Sequence, residues 1–541
     1  MESAADFQST STPSHTATGL NRHWDWIIVG SGFGGSVSAL RLAEKGYSVL
    51  VLEKGRRFRS QDFALSNWNL RRWLWLPGLG CRGILNMSFF RHMTVLSGVG
   101  VGGGSLVYAN TLPTPRDAFF SAPEWSHLAS WKEELAPHYQ TALRMLGAAE
   151  VPFSTPADDA LAQVAQDLGR SEHHQPTRVG VWFGERGKTV PDPYFEGKGP
   201  PRTGCTRCGA CMVGCRVGAK NTLDYNYLHL AEGLGVSVLA DTEVTAVRQP
   251  DVDGLFSVEA RQCLGYLRHR KLRLTASRVV LAGGVLGTVP LLLRMAEDSN
   301  GLPRLSPQVG CSVRTNCESL TGVQTLNGQA NHSQGVAIGS ILHLDDQTHL
   351  EPVRYPAGSG FFRLLMAPHA LGDAIWHRLA KLALQLIRHP WAWFRVYFTG
   401  DWAKRSVILL YMRSHPDTLQ LRLSGMGKLR SVVGEGPAPT GNMPEADHLG
   451  ERMAQKLEGV TGALVTQTLL GTPTTAHILG GCAMGSRPEE GVINARHEVW
   501  GHAGLFVVDG SAVSANLGVN PALTITALAE RAMSKVPNKS A

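Results

Sequence analysis

The stretch Trp26-Ile27-Ile28-Val29-Gly30-Ser31-Gly32-Phe33-Gly34-Gly35 decides the fold, because it reads as an apolar strand ending in a glycine turn that opens a helix. Gly30 and Gly32 allow the backbone to approach a pyrophosphate, and Gly35 lets the helix pack close to the strand. The helix N-terminus offers free N–H groups and the positive end of its dipole to that anion. A second apolar strand, Val49-Leu50-Val51-Leu52, ends at Glu53, whose carboxylate can accept hydrogen bonds from an unphosphorylated adenosine ribose. Strand, turn, helix and acid form a dinucleotide-binding βαβ unit. The fingerprint alone does not separate FAD from NAD.

The rest of the chain sets the scale of the molecule. With 541 residues, 43% hydrophobic and 18% charged, it can bury one large core or two moderate ones, which predicts a two-domain globular enzyme. The 52 Lys+Arg against 44 Asp+Glu give a formal charge of +8, which favours anionic surfaces such as membranes. No basic run of the nucleic-acid-binding kind occurs, so nucleic acid is excluded as a partner. Residues 1–21 are polar and Ser/Thr-rich and read as a flexible tail, and no stretch reaches the length of a membrane span. A cytoplasmic location, with peripheral membrane contact as an option, is the expectation.

Four of the nine cysteines crowd into Cys205-Thr206-Arg207-Cys208-Gly209-Ala210-Cys211-Met212-Val213-Gly214-Cys215. This is the spacing of bacterial iron–sulfur proteins, although Arg216 stands where those have proline, and one such run supplies three ligands while leaving the fourth open. A structural zinc and a set of free thiols are the rival readings. A second glycine cluster, Ser97-Gly98-Val99-Gly100-Val101-Gly102-Gly103-Gly104-Ser105, is too dense for a helix or strand interior and suits a backbone passing close to a ligand. Arg278-Val279-Val280-Leu281-Ala282-Gly283-Gly284 is a further buried strand running into glycines, placed to line the other side of a nucleotide.

Toward the C-terminus, His477 sits in Thr475-Ala476-His477-Ile478-Leu479-Gly480-Gly481. A strand Leu505–Val508 then runs into Asp509-Gly510-Ser511, and Gly518-Val519-Asn520-Pro521 leads into a helix. The N-terminal fingerprint, the triple-glycine loop and these two segments, in this order, resemble the glucose-methanol-choline (GMC) oxidoreductases, and among them the cholesterol oxidase and cholesterol dehydrogenase branch. The resemblance spans residues 26–533.

The resemblance implies an α/β fold: a Rossmann-like FAD-binding domain with an α+β substrate domain containing an antiparallel sheet. It assigns residues 22–115, 201–310 and 471–541 to the first and 116–200 and 311–470 to the second. It implies FAD rather than NAD, with His477 and Asn520 as the catalytic pair. Phe33, Gly34, Gly102, Gly103, Gly104, Ser105, Val244, Asp509, Gly510 and Pro521 join Gly30, Gly32, Gly35, Glu53 and Asn520 along the cofactor. Such an enzyme moves a hydride from a carbinol to flavin N5 while the hydroxyl proton leaves. A neutral imidazole can take or orient that proton, and an asparagine can bond the substrate oxygen without competing for it.

The implied substrate is a hydrophobic secondary alcohol, foremost the 3β-hydroxyl of a sterol. A sugar or long-chain alcohol is the alternative, and a flavin or iron–sulfur electron-transfer subunit without turnover is the reading from another class. Isomerising cholesterol oxidases carry a glutamate on a substrate-domain loop, and the comparable stretch, Pro356-Ala357-Gly358-Ser359-Gly360-Phe361, has no carboxylate. Glu351 lies a few residues earlier and is not assigned that role, so weak or absent isomerisation is expected.

From Leu371 to Arg388, apolar residues recur at helical spacing beside Arg378, Lys381 and Arg388, with Trp391, Trp393 and Phe394 beyond. This segment suits either a helix packed on the substrate domain or one resting on a membrane. No second nucleotide fingerprint is present, so electrons pass to oxygen or to a protein or quinone carrier. His92 is a candidate for covalent flavin attachment.

Overall fold

A computed structural model describes residues 22–540, except 266, 267, 371, 373, 399, 416, 435 and 436. The tail 1–21 lies outside the described residues. The fingerprint folds as β1 (Trp24–Val29), α1 (Phe33–Glu44) and β2 (Val49–Leu52). Every residue of β2 is buried, as expected for a parallel strand covered on both faces. The sheet runs β3 (Ser237–Leu239), β2, β1, β6 (His269–Leu281), β5 (Phe256–Cys263), β4 (Thr242–Arg248). β6 serves two neighbours along one edge: its first half pairs antiparallel with β5, and its last residues pair parallel with the short strand Leu505–Val507. Five strands are thus parallel at the end where β1 meets its glycine turn. The helix α2 (Val285–Glu297) leaves β6 through Gly283-Gly284.

A second, seven-stranded antiparallel sheet is built from β7 (Glu318–Thr325), β8 (Ser340–His343), β9 (Thr348–Val353), β10 (Met366–Pro368), β11 (Ser406–Arg413) and β12 (Gly459–Leu464), with His174–Pro176 on its edge. Its order is β10-β12-β7-β11-β9-β8-(174–176). Strand periodicity divides it cleanly. Val407, Leu409 and Tyr411 pack, with Val323 and Leu350, under the helices Pro156–Asp167 and Pro444–Lys456. Ile408, Leu410 and Met412 point the other way, with Leu320 and Val353. That second face closes over the glycine turn, and it is the face on which Glu318, His349 and Glu351 fall by the same parity.

Beyond β10 come α3 (Ile375–Arg388) and α4 (Pro390–Phe398), so the predicted helix starts four residues later than its sequence pattern and continues into a second. No residue of α3 is buried. The C-terminal α5 (Ala522–Ser534) packs against α1.

The closest contacts of the fold are glycine contacts. A Cβ at Gly34 would lie 2.0 Å from the Val508 carbonyl oxygen and one at Gly35 would lie 2.1 Å from that of Gly30. Neither neighbour is a side chain that could swing aside. Gly34→Ala is therefore expected to lower the thermal midpoint by several degrees, corresponding to about 1–3 kcal/mol of overpacking, and to reduce the flavin content of the purified protein. Thermal unfolding and the visible flavin absorbance check this.

Candidate active site

One continuous cavity of about 490 Å³ runs between the two sheets. At one end it is lined by Gly30, Gly32, Phe33, Gly34, Glu53, Val244, Gly103 and Gly104; at the other by Leu320, Val353, Phe362, Met366, Ile408 and Leu410. His477, Asp509, Gly510, Asn520 and Pro521 lie between these ends. Most of the predicted cofactor residues thus meet around one space. Gly35, Gly102 and Ser105 do not line it. Gly35 is spent on helix packing, and the Ser105 hydroxyl donates to the Gly102 carbonyl (2.7 Å) and accepts from Leu223 N–H (3.0 Å), bracing the glycine loop from behind.

The two glycine segments are built into each other. Ser31 Oγ donates to Glu53 Oε2 (2.8 Å) and accepts from Gly102 N–H (3.1 Å), while Glu53 also accepts from Ser31 N–H (3.0 Å) and Gly55 N–H (2.9 Å). Gly103, at φ +52°, passes so close that a Cβ there would sit 2.6 Å from Gly32 Cα. Gly32, at the N-cap of α1, has open space where its own Cβ would be. A flat, anionic group can therefore lie directly on the backbone. The buried Asn110 supports the same conclusion: it adopts φ +72° between the lining residues Ala109 and Thr111, and both of its side-chain polar atoms lack a partner. Such an orphan needs a ligand. These features fit FAD.

Asp509 lines the cavity and also has a structural part. One carboxylate oxygen accepts from Gly284 N–H (2.8 Å) and Thr288 Oγ (2.5 Å), the other from Ser511 N–H (2.9 Å) and Oγ (2.5 Å). It is a clamp joining the start of α2 to the 509–512 turn, and burial raises its pKa while these donors oppose the rise. His92 is displaced from its expectation, since its ring pairs with Ser431 Oγ (2.9 Å) and does not line the cavity.

His477 follows the strand Thr474–Thr475, and its N–H is held by Thr475 Oγ (2.9 Å). The wholly buried Glu318, at the start of β7, accepts from Ala476 N–H (2.9 Å) and contacts Nδ1 of His477. A carboxylate on Nδ1 holds the imidazole in the tautomer that leaves Nε2 as the acceptor. Asn520 donates through Nδ2 to Glu351 Oε2 (3.3 Å), and its buried Oδ1 has no partner. Glu351 is wholly buried, and its carboxyl is pushed up to about 8, chiefly by desolvation, with the Asn520 hydrogen bond opposing and Glu318 adding to the rise.

Glu318 was not foreseen, and Glu351 had been set aside. Each was visible as a lone acid in an otherwise uncharged strand, Glu318 in Glu318–Thr325 and Glu351 in Thr348–Val353.

The four cysteines of the run do not line the cavity, although Met212 between them does. Cys205, Cys211 and Cys215 border a cluster of Val151, Val179, Val181, Ala219 and Val336, and burial pushes Cys205 up to about 12 and Cys211 up to about 11. The buried Lys220 ties the run to the glycine loop by donating to the carbonyls of Leu106 (3.0 Å), Tyr108 (3.0 Å) and Cys211 (2.7 Å). Among the described residues, the groups that converge closely enough for a single ion are Cys317, His415 and Asp417. These already have partners: His415 Nδ1 bonds Asp417 (2.5 Å), the Cys317 thiol donates to the other Asp417 oxygen (3.9 Å), and Asn516 donates to the Cys317 sulfur (3.5 Å).

Family comparisons agree with this architecture. The GMC oxidoreductase profiles match residues 201–314 and 400–529, and a profile for an NAD(P)-binding Rossmann-like domain matches residues 28–69. The chain is 46% identical to a cholesterol oxidase of Mycobacterium tuberculosis (strain ATCC 25618 / H37Rv) across 95% of its length and 91% of the relative's. It is 42% identical to a cholesterol oxidase of Acinetobacter baumannii, across 96% and 95%. Pyridoxine 4-oxidase from Mesorbium loti shares the fold at a TM-score of 0.60 and 15% identity, covering 95% of this chain and 99% of that one. The protein belongs to the GMC oxidoreductases and is an FAD-dependent alcohol oxidoreductase. Within that family it lies in the cholesterol oxidase-like branch.

Asp509→Asn should weaken the clamp by removing charge from four hydrogen bonds at once. We expect faster loss of flavin on dilution or mild heating, measured by flavin fluorescence released to solvent, with His477-dependent chemistry retained in the protein that keeps its cofactor.

Proposed function

We infer that this enzyme oxidises the 3β-hydroxyl of a sterol to the ketone. The observation that carries the reading is the apolar end of the cavity, walled by Leu320, Val353, Phe362, Met366, Ile408 and Leu410, with its polar groups gathered at His477 and Asn520. A sugar would leave its other hydroxyls unpaired against those walls. Bound FAD supplies the hydride acceptor. His477, oriented through Nδ1 by Glu318, takes the hydroxyl proton on Nε2, and Asn520, which gives one Nδ2 N–H to Glu351, has a second to donate to the substrate oxygen. Oxygen is the acceptor this reading favours, in keeping with relatives named oxidases.

The domain division keeps its sequence-derived boundaries. It is supported by the origin of the parallel strands in residues 24–52, 237–281 and 505–507 and of the antiparallel sheet chiefly in 318–464. The cysteine run is read as packing rather than as a cluster site, since Cys205, Cys211 and Cys215 border an apolar cluster. One anaerobic experiment tests these points. A 3β-hydroxysteroid should bleach the flavin band completely, leave no broad residual absorbance of an iron–sulfur cluster, and bleach it at least about 10²-fold more slowly in His477→Ala.

The expectation of weak isomerisation rested on the missing carboxylate in Pro356–Phe361; Glu351 on β9, hydrogen-bonded to the cavity residue Asn520, is the candidate to take its place. We read Glu351 as the base that moves a proton from C4 to C6 of the 5-en-3-one. To accept a proton it must be ionised, and with a pKa near 8 the ionised fraction rises about tenfold between pH 7 and pH 9. Conversion of the 5-en-3-one to the conjugated 4-en-3-one should rise accordingly. Glu351→Gln should oxidise the alcohol yet accumulate the unconjugated ketone, as product chromatography would show.

Peripheral membrane contact completes the reading. Among the described residues no helix is long and apolar enough to cross a membrane. α3 instead leaves Ile375, Trp376, Leu379, Leu384, Leu386 and Ile387 exposed, and α4 leaves Trp391, Phe394 and Phe398 exposed. Lys381, Arg388 and Arg395 border this surface. The buried Trp393 of α4 reaches Gly462, and Tyr397 donates to the Met366 carbonyl (2.7 Å), so the helix packs behind the strands whose Met366 and Ala463 line the cavity's apolar end. An apolar surface with a basic rim suits an anionic bilayer. Replacing Trp376, Ile387 and Trp391 by Glu should reduce cosedimentation with anionic, cholesterol-containing vesicles at least tenfold while leaving turnover of detergent-dispersed sterol near the parent value.

A further inference from the structure

Glu351 is wholly buried. Once cofactor and sterol fill the cavity, a proton on its carboxyl can reach solvent only through protein groups. His349 stands two residues before it on β9 and therefore shares its face. Their nearest atoms, His349 Nε2 and Glu351 Oε1, are 3.9 Å apart. Both atoms are buried and neither has a hydrogen-bond partner. Two adjacent orphaned polar atoms in an apolar sheet face call for an explanation.

The row continues across the sheet. His343 of β8 is paired in direct register with His349, and the two rings are 5.8 Å apart between centroids. Beside them is a small cavity of about 20 Å³, lined by both histidines and by Arg116, Asp345, Asp346 and Thr348 among others. That volume holds about one water molecule. Exposure increases along the row, from Glu351 and His349, both buried, to half-buried His343 and exposed Asp345 and Asp346.

We propose that His349 and His343 form a proton-exchange path connecting Glu351 to solvent on the side of the sheet edge. The path carries one proton at a time and no electrons. A proton leaves the Glu351 carboxyl for one nitrogen of His349 as the other nitrogen releases its own toward the water-sized cavity and His343. The return transfer restores both groups.

The surroundings favour neutral imidazoles. Burial is the largest cause in each case, with His343, His477 and Arg116 acting on His349, and Arg116 and His173 acting on His343; His349 is held down to about 3 and His343 to about 4. Neutral rings relay by exchanging tautomers and so place no lasting charge beside the substrate. The β11 residues opposite His349 and Glu351 are Met412 and Leu410, which bring no charge. On the other side Glu318 opposes ionisation of Glu351.

This inference rests on the reading of Glu351 as the isomerising base. In that step the C4–H bond breaks to protonate Glu351 and the same carboxyl delivers a proton to C6. A path to solvent makes the carried proton exchangeable, so turnover in D2O should place deuterium at C6 of the 4-en-3-one, above a control in which finished product is incubated with enzyme. His349→Gln, which cannot exchange tautomers, should lower that incorporation at least fivefold. His343→Asn, at a half-buried position, should lower it as well, and the flavin spectrum verifies that each variant is folded. Absence of deuterium in the parent product, or equal incorporation in both folded variants, overturns the path. Undiminished isomerisation by Glu351→Gln would instead overturn the role of Glu351 itself.

Discussion

Glu318 has no contact with water, and much of the architecture answers that constraint. A carboxylate on the inner face of an antiparallel sheet must find donors in the layer it faces, because burying it alone would cost far more than the fold can spare. Glu318 finds them in Ala476 N–H and the Nδ1 edge of His477. The sheet that walls the substrate end is thereby fastened to the segment that carries the candidate base. Glu351 repeats the device two strands away, with Asn520 as its partner. The antiparallel sheet supplies both acids and the opposite layer supplies the groups that act with them, so the site exists only when both layers are assembled.

The two carboxylates are not equivalent, and the difference has a physical cause. Glu318 is compensated by a backbone donor and an imidazole. Glu351 has a single amide donor, so desolvation dominates and its proton is held above the ordinary carboxylate range.

The nucleotide end obeys a different rule. It is made almost wholly of backbone, with glycines where any side chain would strike a carbonyl and with Ser31 linking Glu53 to the second glycine loop. Backbone contacts depend on local conformation, which glycine spacing announces. That is why Gly30, Gly32, Glu53, Gly103 and Gly104 could be read from sequence and are found around one cavity. Val244 was legible only through family resemblance, since a valine in a strand carries no signal of its own. Asp509 was correctly placed beside the cavity, but its four intramolecular donors come from positions far apart in the chain and could not be read.

The sequence by itself determined the βαβ unit and the order of the glycine segments, because these depend on short-range pattern: strand period, helix capping and turns that admit only glycine; His477 and Asn520 were expected as a pair only through the family resemblance. Tertiary structure alone decided which acids join that pair. Glu318 and His477 are separated by most of the antiparallel sheet in sequence, and strand parity together with strand order brings them into contact. The same parity turned Glu351 inward and set His349 and His343 beside it. Parity is local, but which face becomes the inside is a property of the assembled layers.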